Sequence, residues 1–514
     1  MQINKMSRTD AATKNLTVGV LSKVVLLGAA FTVRTIFIRI LGVEYTGISS
    51  LFTNILNLLN LAELGLGSVF TFELYEPLHA KDNATVCAYV ALFKKIYYVI
   101  IAAICCIGMA LVPFLRSITH STLPTNYLVT YYLLYLVDSV ASYFVVYRTT
   151  VIEADQKRYV VQYIEIASKL IQYVLQSIYL LRFHDFEGYL IIQVFFTVLR
   201  NIILHWIAGK MYPYLKSKTV LKIEQKTIKK IAINVKATFV SRLSDTIMNQ
   251  TDSIIISALI GVAAVGYYSN YNMIVVYINS IISILFYAIE ASVGNLNAEH
   301  DAKKSFSLFN KLSVWMAIMN AFCVSLYVCL VQNFISLWIG KEYLQDMLLV
   351  ICILFSFYMN QTMGVLYIYQ KTMGLFCEVQ KIYPFMAVLN IILSIWLGRS
   401  MGIAGVIGAT GIARGVTIFW YEGKIIFNKL EHSFKEYIHQ QLLFALYTVA
   451  TAFVSYLLCT YIPLGGFGGL CGRLFTVIGI WGTCTLYLWK KTSEWKWGLS
   501  IVKRKIERND TYIE

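Results

Sequence analysis

Lys23 and Arg34 lie eleven residues apart inside one long apolar run. On a helix that is three turns with little angular drift, so the two side chains share one stripe. A second run holds Arg242, Asp245 and Asp252. Arg242 and Asp245, three apart, can pair on one face, and Asp252 follows two turns further along it. Asp138, Arg200, Glu63, Glu290 and Arg414 sit singly in other runs, and Glu165 with Lys169 forms an i, i+4 pair that can neutralise itself. Arg39 and Lys236 are close enough to the ends of their runs to snorkel.

A charge in hydrocarbon is costly unless it meets a partner or a polar cavity, so each of these residues is a functional candidate. Guanidinium groups hold phosphate oxygens bidentately, and ammonium groups act as point charges toward them. Lys23, Arg34, Arg242 and Arg414 are therefore the candidate contacts for an anionic solute, with pyrophosphate the natural one. Asp138, Asp245, Asp252 and Glu290 are the candidate proton or sodium sites. The competing reading is structural: these cations are neutralised by Asp138, Asp245 or Glu63 and hold helices together.

The elements that must carry such residues are membrane helices. Of 514 residues 58% are hydrophobic and 14% charged, where a soluble chain carries roughly a quarter. Runs such as Tyr97–Leu115 and Leu442–Leu458 approach the length of about 20 residues that crosses a bilayer. Six prolines leave little room for linkers. Residues Met1–Lys14 are polar and basic, with no leader pattern. The reading is an all-α integral membrane protein with about 14 spans, at 15–41, 46–72, 93–115, 125–148, 158–182, 187–210, 231–260, 264–293, 307–334, 343–368, 377–398, 402–427, 438–462 and 467–489.

The net charge of +16 would suggest nucleic acid in a soluble protein. Here it reports topology, and no nucleic-acid partner is expected. With the N-terminus inside, thirty-one of the 44 Lys and Arg fall in or beside inner segments, and five fall in outer loops: Arg116, Arg182, Lys341, Arg399 and Arg473. That asymmetry is the positive-inside signature and puts both termini in the cytoplasm of a bacterial inner membrane. The basic loop around 211–230 fixes topology or binds anionic membrane lipids.

Laying the chain on itself at an offset of 219 aligns Ser22-Lys23 with Ser241-Arg242, Gly42-Val43 with Gly261-Val262, Gly47 with Gly266, and Ser50 with Ser269. Repeats at this scale in a transporter imply two similar bundles with a substrate path. An even number of spans separates the copies, so the bundles are parallel. The layout is a six-helix bundle at 1–210, a basic loop at 211–230, a second bundle at 231–427, two additional helices at 438–489 and a basic tail at 490–514. Lys23 and Arg242 coincide under the repeat, which makes a positive cavity.

Enzymatic signatures are missing: no P-loop, GxSxG, HExxH or dinucleotide fingerprint. The ten cysteines are scattered without CxxC or zinc-ligand spacing, so no metal or cofactor is expected. The reading is a transporter rather than an enzyme, with H+ or Na+ coupling. Tyr131, Tyr132 and Tyr135, and Tyr267, Tyr268 and Tyr271, read as interface anchors.

Several stretches resemble polysaccharide-export flippases: Ile40–Leu56, Leu61–Ser68, Glu153–Lys157, Thr251–Ile256 and Ala291–Glu299. The resemblance spans most of residues 15 to 430. It is to the oligosaccharide-repeat flippase branch of the multidrug/oligosaccharidyl-lipid/polysaccharide exporter superfamily, with its MATE-like fold. It implies two six-helix bundles in a V shape, alternating access, and undecaprenyl-pyrophosphate-linked oligosaccharide as cargo, handled beside glycosyltransferases and a polymerase by a monomeric protein. Cations lining the cavity of that family are thought to receive pyrophosphate or acidic sugars, and Lys23, Arg34 and Arg242 fit the description. Rival readings on the same fold are a flippase for a peptidoglycan or teichoic-acid precursor, or a multidrug cation antiporter. The antiporter predicts an acidic cavity. A membrane glycosyltransferase or polymerase would need a long outer loop, and none is expected.

Overall fold

The long apolar runs of the sequence are helices in the computed structural model, which describes residues 8–60, 66–216, 223, 225–299, 301–462 and 466–500. No strand forms among them. Two compact units divide the chain, Met1–Ser269 and Asn270–Glu514.

The first unit holds α1 (Arg8–Leu59), α2 (Leu66–Ala80), α3 (Asn83–Leu111), α4 (Leu115–Thr119), α5 (Thr125–Tyr143), α6 (Val146–Ala154), α7 (Arg158–Phe183), α8 (Phe186–Met211) and α9 (Gln225–Leu259). It also takes in the first turns of α10 (Val262–Ala298). Beyond the rest of α10, the second unit holds α11 (Ala302–Trp338), α12 (Met347–Thr372), α13 (Phe376–Val379), α14 (Ile382–Val416), α15 (Ile418–Lys429), α16 (Phe434–Thr460) and α17 (Gly466–Trp489).

Among the described residues, eight helices are long and apolar enough to cross a membrane, or nine if α5 and α6, bent by 43°, form one broken span. The chain is a multi-pass, all-helical membrane protein: backbone polar groups in hydrocarbon must be satisfied within each segment, and helices do so.

Expected spans at 158–182, 187–210 and 467–489 match α7, α8 and α17 closely. Of the run expected at 46–72, α1 takes the part up to Leu59 and α2 the part from Leu66, with residues 61–65 outside the described residues. Two others are corrected. The run expected at 125–148 stops at Tyr143 and turns into α6, since Val145 departs from helical geometry with φ −121°. The turn expected between 398 and 402 is a break inside α14 at Gly402, with φ 63° and ψ −140°.

The helix starts follow capping chemistry. Asp82 accepts from the Thr85 hydroxyl and the Ala84 and Thr85 N–H groups, which holds its carboxyl below its usual range. Asp185 accepts from Glu187 and Gly188 at the start of α8.

The repeat has a structural counterpart inside the first unit. Gly42 (φ 83°) and Gly261 (φ 121°), aligned by the offset, both adopt left-handed backbone that favours glycine. Their neighbours make reciprocal close approaches. A Cβ on Gly47 would come within 1.9 Å of the Val262 carbonyl oxygen, and one on Gly266 within 2.2 Å of the Val43 carbonyl oxygen. Residue i meeting j′ while i′ meets j is the mark of a local two-fold relation.

Five of the six tyrosines expected as interface anchors are buried instead, and Tyr267 is half-buried. Tyr132 donates to the Gly108 carbonyl at 3.0 Å, Tyr135 to Ser49 Oγ at 2.6 Å, and Tyr271 to Gln332 Oε1 at 2.9 Å. Each ring thus fills core space, while its hydroxyl finds a partner across a helix pair.

Candidate functional site

Arg34 lies two turns before the Gly42 break of α1, half-buried. Its guanidinium donates to Ser269 Oγ at 2.7 Å, and that hydroxyl donates on to the Gly266 carbonyl at 2.9 Å. The contact has a counterpart under the repeat. Ser253 stands where the offset places Arg34, and it accepts from Asn54, four residues past Ser50, at 2.6 Å.

From Arg34 a line of polar side chains continues into the first unit. Tyr135 of α5 and Tyr189 of α8 lie in the field of its charge. Gln176 of α7 donates to the Tyr189 carbonyl at 3.0 Å, Gln172 donates to Gln176 at 3.3 Å, and Lys169 donates to Gln172 at 3.0 Å. Both glutamines are fully buried. They are four residues apart, so they stack on one face of α7, which packs against α1.

Asp138, in the C-terminal half of α5, closes the line. It accepts from Gln193 Nε2 at 2.7 Å and from Thr197 Oγ1 at 2.5 Å, both on α8. The charges that act on Lys169 are Asp138 first, then Arg200 and Glu165. In the expected pair Glu165–Lys169 the ammonium donates to Gln172, and Asp138 acts on its charge as well as Glu165. Arg34, Lys169 and Arg200 thus share this region with Asp138 and Glu165.

The remaining candidates are placed as follows. Lys23 is exposed on α1, about 16 Å along the helix from Arg34. The side chains of Lys236, Arg242 and Asp245 lie outside the described residues, as do Glu63 and most of the loop at 211–230. Asp252 is buried at 7% exposure on α9. In the second unit Arg414 is buried on α14, and Glu290 of α10 is ion-paired with Lys371 of α12 at 2.5 Å. The fold thus brings Arg34 and Asp138 into one polar line, joined by Lys169 and Arg200. The pairing of Glu290 with Lys371 satisfies that carboxylate internally.

Glu422 on α15 escaped the sequence reading, because it sits near the polar end of an apolar run. It is 1% exposed, and its Oε1 has no hydrogen-bond partner among the described residues. Tyr437 of α16, seated on Gly423, and Tyr358 of α12 share its surroundings. Gln172 and Gln176 were also missed. Their i, i+4 spacing in an apolar run is the signal that would have found them.

Among the described residues no group of His, Cys, Asp or Glu could hold a metal ion.

Residues 12–289 match the family described as polysaccharide biosynthesis protein. Comparison with curated proteins gives no sequence match. Among solved structures, the chain is similar to a lipid II flippase in an inward closed conformation, at TM-score 0.67 and 13% identity, over 92% of this chain and 98% of that one. It is also similar to an inward-facing multidrug resistance MATE family transporter of the MOP superfamily, at TM-score 0.61 and 13% identity, over 79% and 96%. A MATE transporter from Vibrio cholerae follows at TM-score 0.51 and 10% identity, over 82% and 98%. At these identities the likeness is one of fold.

Proposed function

From the premise that the chain belongs to the polysaccharide biosynthesis protein family, we propose that it is a flippase for surface-polysaccharide assembly. Its cargo is an undecaprenyl-pyrophosphate-linked oligosaccharide repeat unit, moved from the inner to the outer leaflet of a bacterial cytoplasmic membrane by alternating access. The fourteen-span count, the cytoplasmic termini and the bundles at 1–210 and 231–427 belong to this reading.

The observation that carries it is the polar line of Arg34, Lys169 and Asp138, with Arg200 acting on Lys169, half-buried in a bundle whose outside is apolar. A pyrophosphate leaving the headgroup region loses its hydration, and only fixed donors and cations can replace it. Arg34 and Arg200 offer bidentate forks, and Lys169 a point charge. The glutamines on α7 give neutral donors and acceptors to hydroxyl-bearing sugars. Lys23, Arg242 and Arg414 remain proposed cargo contacts.

The polyprenyl tail stays in hydrocarbon and costs no desolvation. Asp138 serves as the coupling site: protonation would remove the charge that balances Lys169, so ion uptake and anion affinity are linked through one group. Asp245 and Asp252 stay as further coupling candidates. Glu290 is set aside, because its pairing with Lys371 already accounts for it. A cation exporter would call for an acidic cavity, which the presence of Arg34, Lys169 and Arg200 does not suit.

The test is complementation of a deletion strain with Arg34→Ala, with protein levels in the membrane measured beside surface polysaccharide. Losing a charge-assisted contact worth about 1.5–3 kcal/mol should lower polysaccharide by tenfold or more at normal protein levels. Unchanged polysaccharide would overturn the reading. A peptidoglycan-precursor flippase is the second reading, favoured by the similarity to 98% of a lipid II flippase chain. Rescue of growth in cells depleted of their own lipid II flippase would move the assignment there.

A further inference from the structure

On the opposite side of α5 from the polar line, α3, α5 and α8 enclose an apolar groove of about 830 Å³, with Met109, Leu136, Val140, Phe144, Ile202 and Trp206 on its walls. It opens outward: Met109, Phe144, Ile202 and Trp206 are each about half exposed or more. The break between α5 and α6 makes the room, since Phe144 and Val145 leave the helix line there and become part of the lining.

One end of the groove is cationic. His205 lines it, and Arg148 of α6 donates to the His205 carbonyl at 3.4 Å. Arg148 and Lys94 of α3 both act electrostatically on the His205 ring. Lys94 lies 5.6 Å from the Tyr98 ring centre, and the Lys210 ammonium stands 3.7 Å over Trp206, itself a lining residue. Among the described residues none of Lys94, Arg148 and Lys210 has an ion pair, and Arg148 Nε is buried without a hydrogen-bond partner. The nearby carboxylates at the end of α6 are already matched, Asp155 with Lys157 at 2.6 Å and Glu153 with Arg158 at 3.8 Å.

The dimensions select the occupant. On α8 the lining runs from Trp206, under the Lys210 ammonium, back to Val198, which is twelve residues or about 18 Å from Lys210. That is little more than half of the roughly 30 Å hydrocarbon core, so the groove reaches about one leaflet's depth from the cations. It matches in length an acyl chain that ends within one leaflet. We propose that the groove is a binding site for an anionic glycerophospholipid, with an acyl chain along α3, α5 and α8 and the phosphate among Lys94, Arg148 and Lys210. The three cations lie on the side that the charge asymmetry of the sequence places inside, so the lipid comes from the inner leaflet. The site shares no residue with the polar line and stands whether or not the cargo assignment holds.

The test uses the purified full chain and native mass spectrometry with phosphatidylglycerol, phosphatidylcholine or polyprenyl phosphate as the probe. A juxtamembrane cation contributes roughly a fivefold gain toward anionic lipid, so phosphatidylglycerol should bind at least tenfold better than phosphatidylcholine. Lys94→Gln with Lys210→Gln, both at helix surfaces where folding is safe, should remove most of that preference. Val140→Trp should fill the groove and weaken binding of both phospholipids. Equal binding of the two phospholipids, a preference that survives the charge variants, or polyprenyl phosphate displacing phosphatidylglycerol would each overturn the proposal.

Discussion

At the scale of single residues, two kinds of position decide this protein: glycines where backbones touch, and polar side chains inside the bundle. Gly47 and Gly266 belong to the first kind. An added methyl at either would strike a carbonyl oxygen of the opposing helix, which moves only with its whole backbone. Gly47→Ala and Gly266→Ala should each destabilise by about 1–3 kcal/mol, the range for overpacking a close contact. Gly28, also on α1, has nothing within 4 Å of the same methyl. Gly28→Ala should therefore be neutral or gain up to about 1 kcal/mol from helix propensity. Thermal unfolding of the three variants in detergent separates the cases, and equal shifts would contradict the close approach. Asp138 belongs to the second kind. Asp138→Asn keeps an acceptor for Thr197 but removes the charge that answers Lys169. Flipping measured in proteoliposomes should lose its dependence on the ion gradient in this variant, and an unchanged dependence would remove Asp138 from the coupling role.

At the scale of elements, breaks matter as much as helices. A stretch of 48 residues, Ile382–Lys429, passes as one apolar helical run. At 1.5 Å per residue it would measure about 72 Å, more than twice a hydrocarbon core. The break at Gly402 reconciles the length with a bilayer, and Gly42 does the same for α1. Both have positive φ with ψ near or beyond −140°, a region open essentially to glycine. Gly42→Ala and Gly402→Ala should cost about 1–3 kcal/mol each, read again as a fall in unfolding temperature. Retained stability would mean that the chain turns elsewhere. The bend between α5 and α6 has no glycine. There the non-helical Val145 opens the groove that carries Arg148 at its mouth.

At the scale of the whole molecule, the distribution of Lys and Arg gives an orientation that can be tested directly. α11 runs from Ala302 to Trp338, with Lys303 at its start and Lys341 just beyond its end. A helix of 37 residues covers about 55 Å, enough to put those two lysines on opposite sides. In a cysteine-free background, Lys303→Cys should react with an impermeant maleimide only after the cells are opened, and Lys341→Cys should react in intact cells. The reverse pattern would invert the topology.

What the sequence determined by itself is what depends on local order along the chain. The apolar runs, the sparse charge and the clustering of lysines between runs made the all-helical membrane class legible, and they located α7, α8 and α17 closely. The 219-residue offset marked Gly42, Gly261, Gly47 and Gly266, which are the left-handed turns and backbone contacts of the structure. The resemblance to flippases rested on the same stretches. The charges of the candidate line were legible too, since Arg34, Asp138, Lys169 and Arg200 all stand in hydrophobic runs, whereas Gln172 and Gln176 drew no notice.

Only the tertiary structure decided who meets whom. Asp138 is 31 residues from Lys169 and 55 from Gln193, and nothing in helical periodicity relates them. The same holds for Glu290, which Lys371 neutralises from 81 residues away, and for Glu422, buried beside tyrosines of two other helices. Tyr131, Tyr132 and Tyr135 carry one composition whether they face headgroups or a helix interior, and the crossing of α1, α3 and α5 chose the interior. Hydropathy records the cost of taking each residue out of water. A partner that offsets that cost arrives on another helix, through packing that a single segment does not encode.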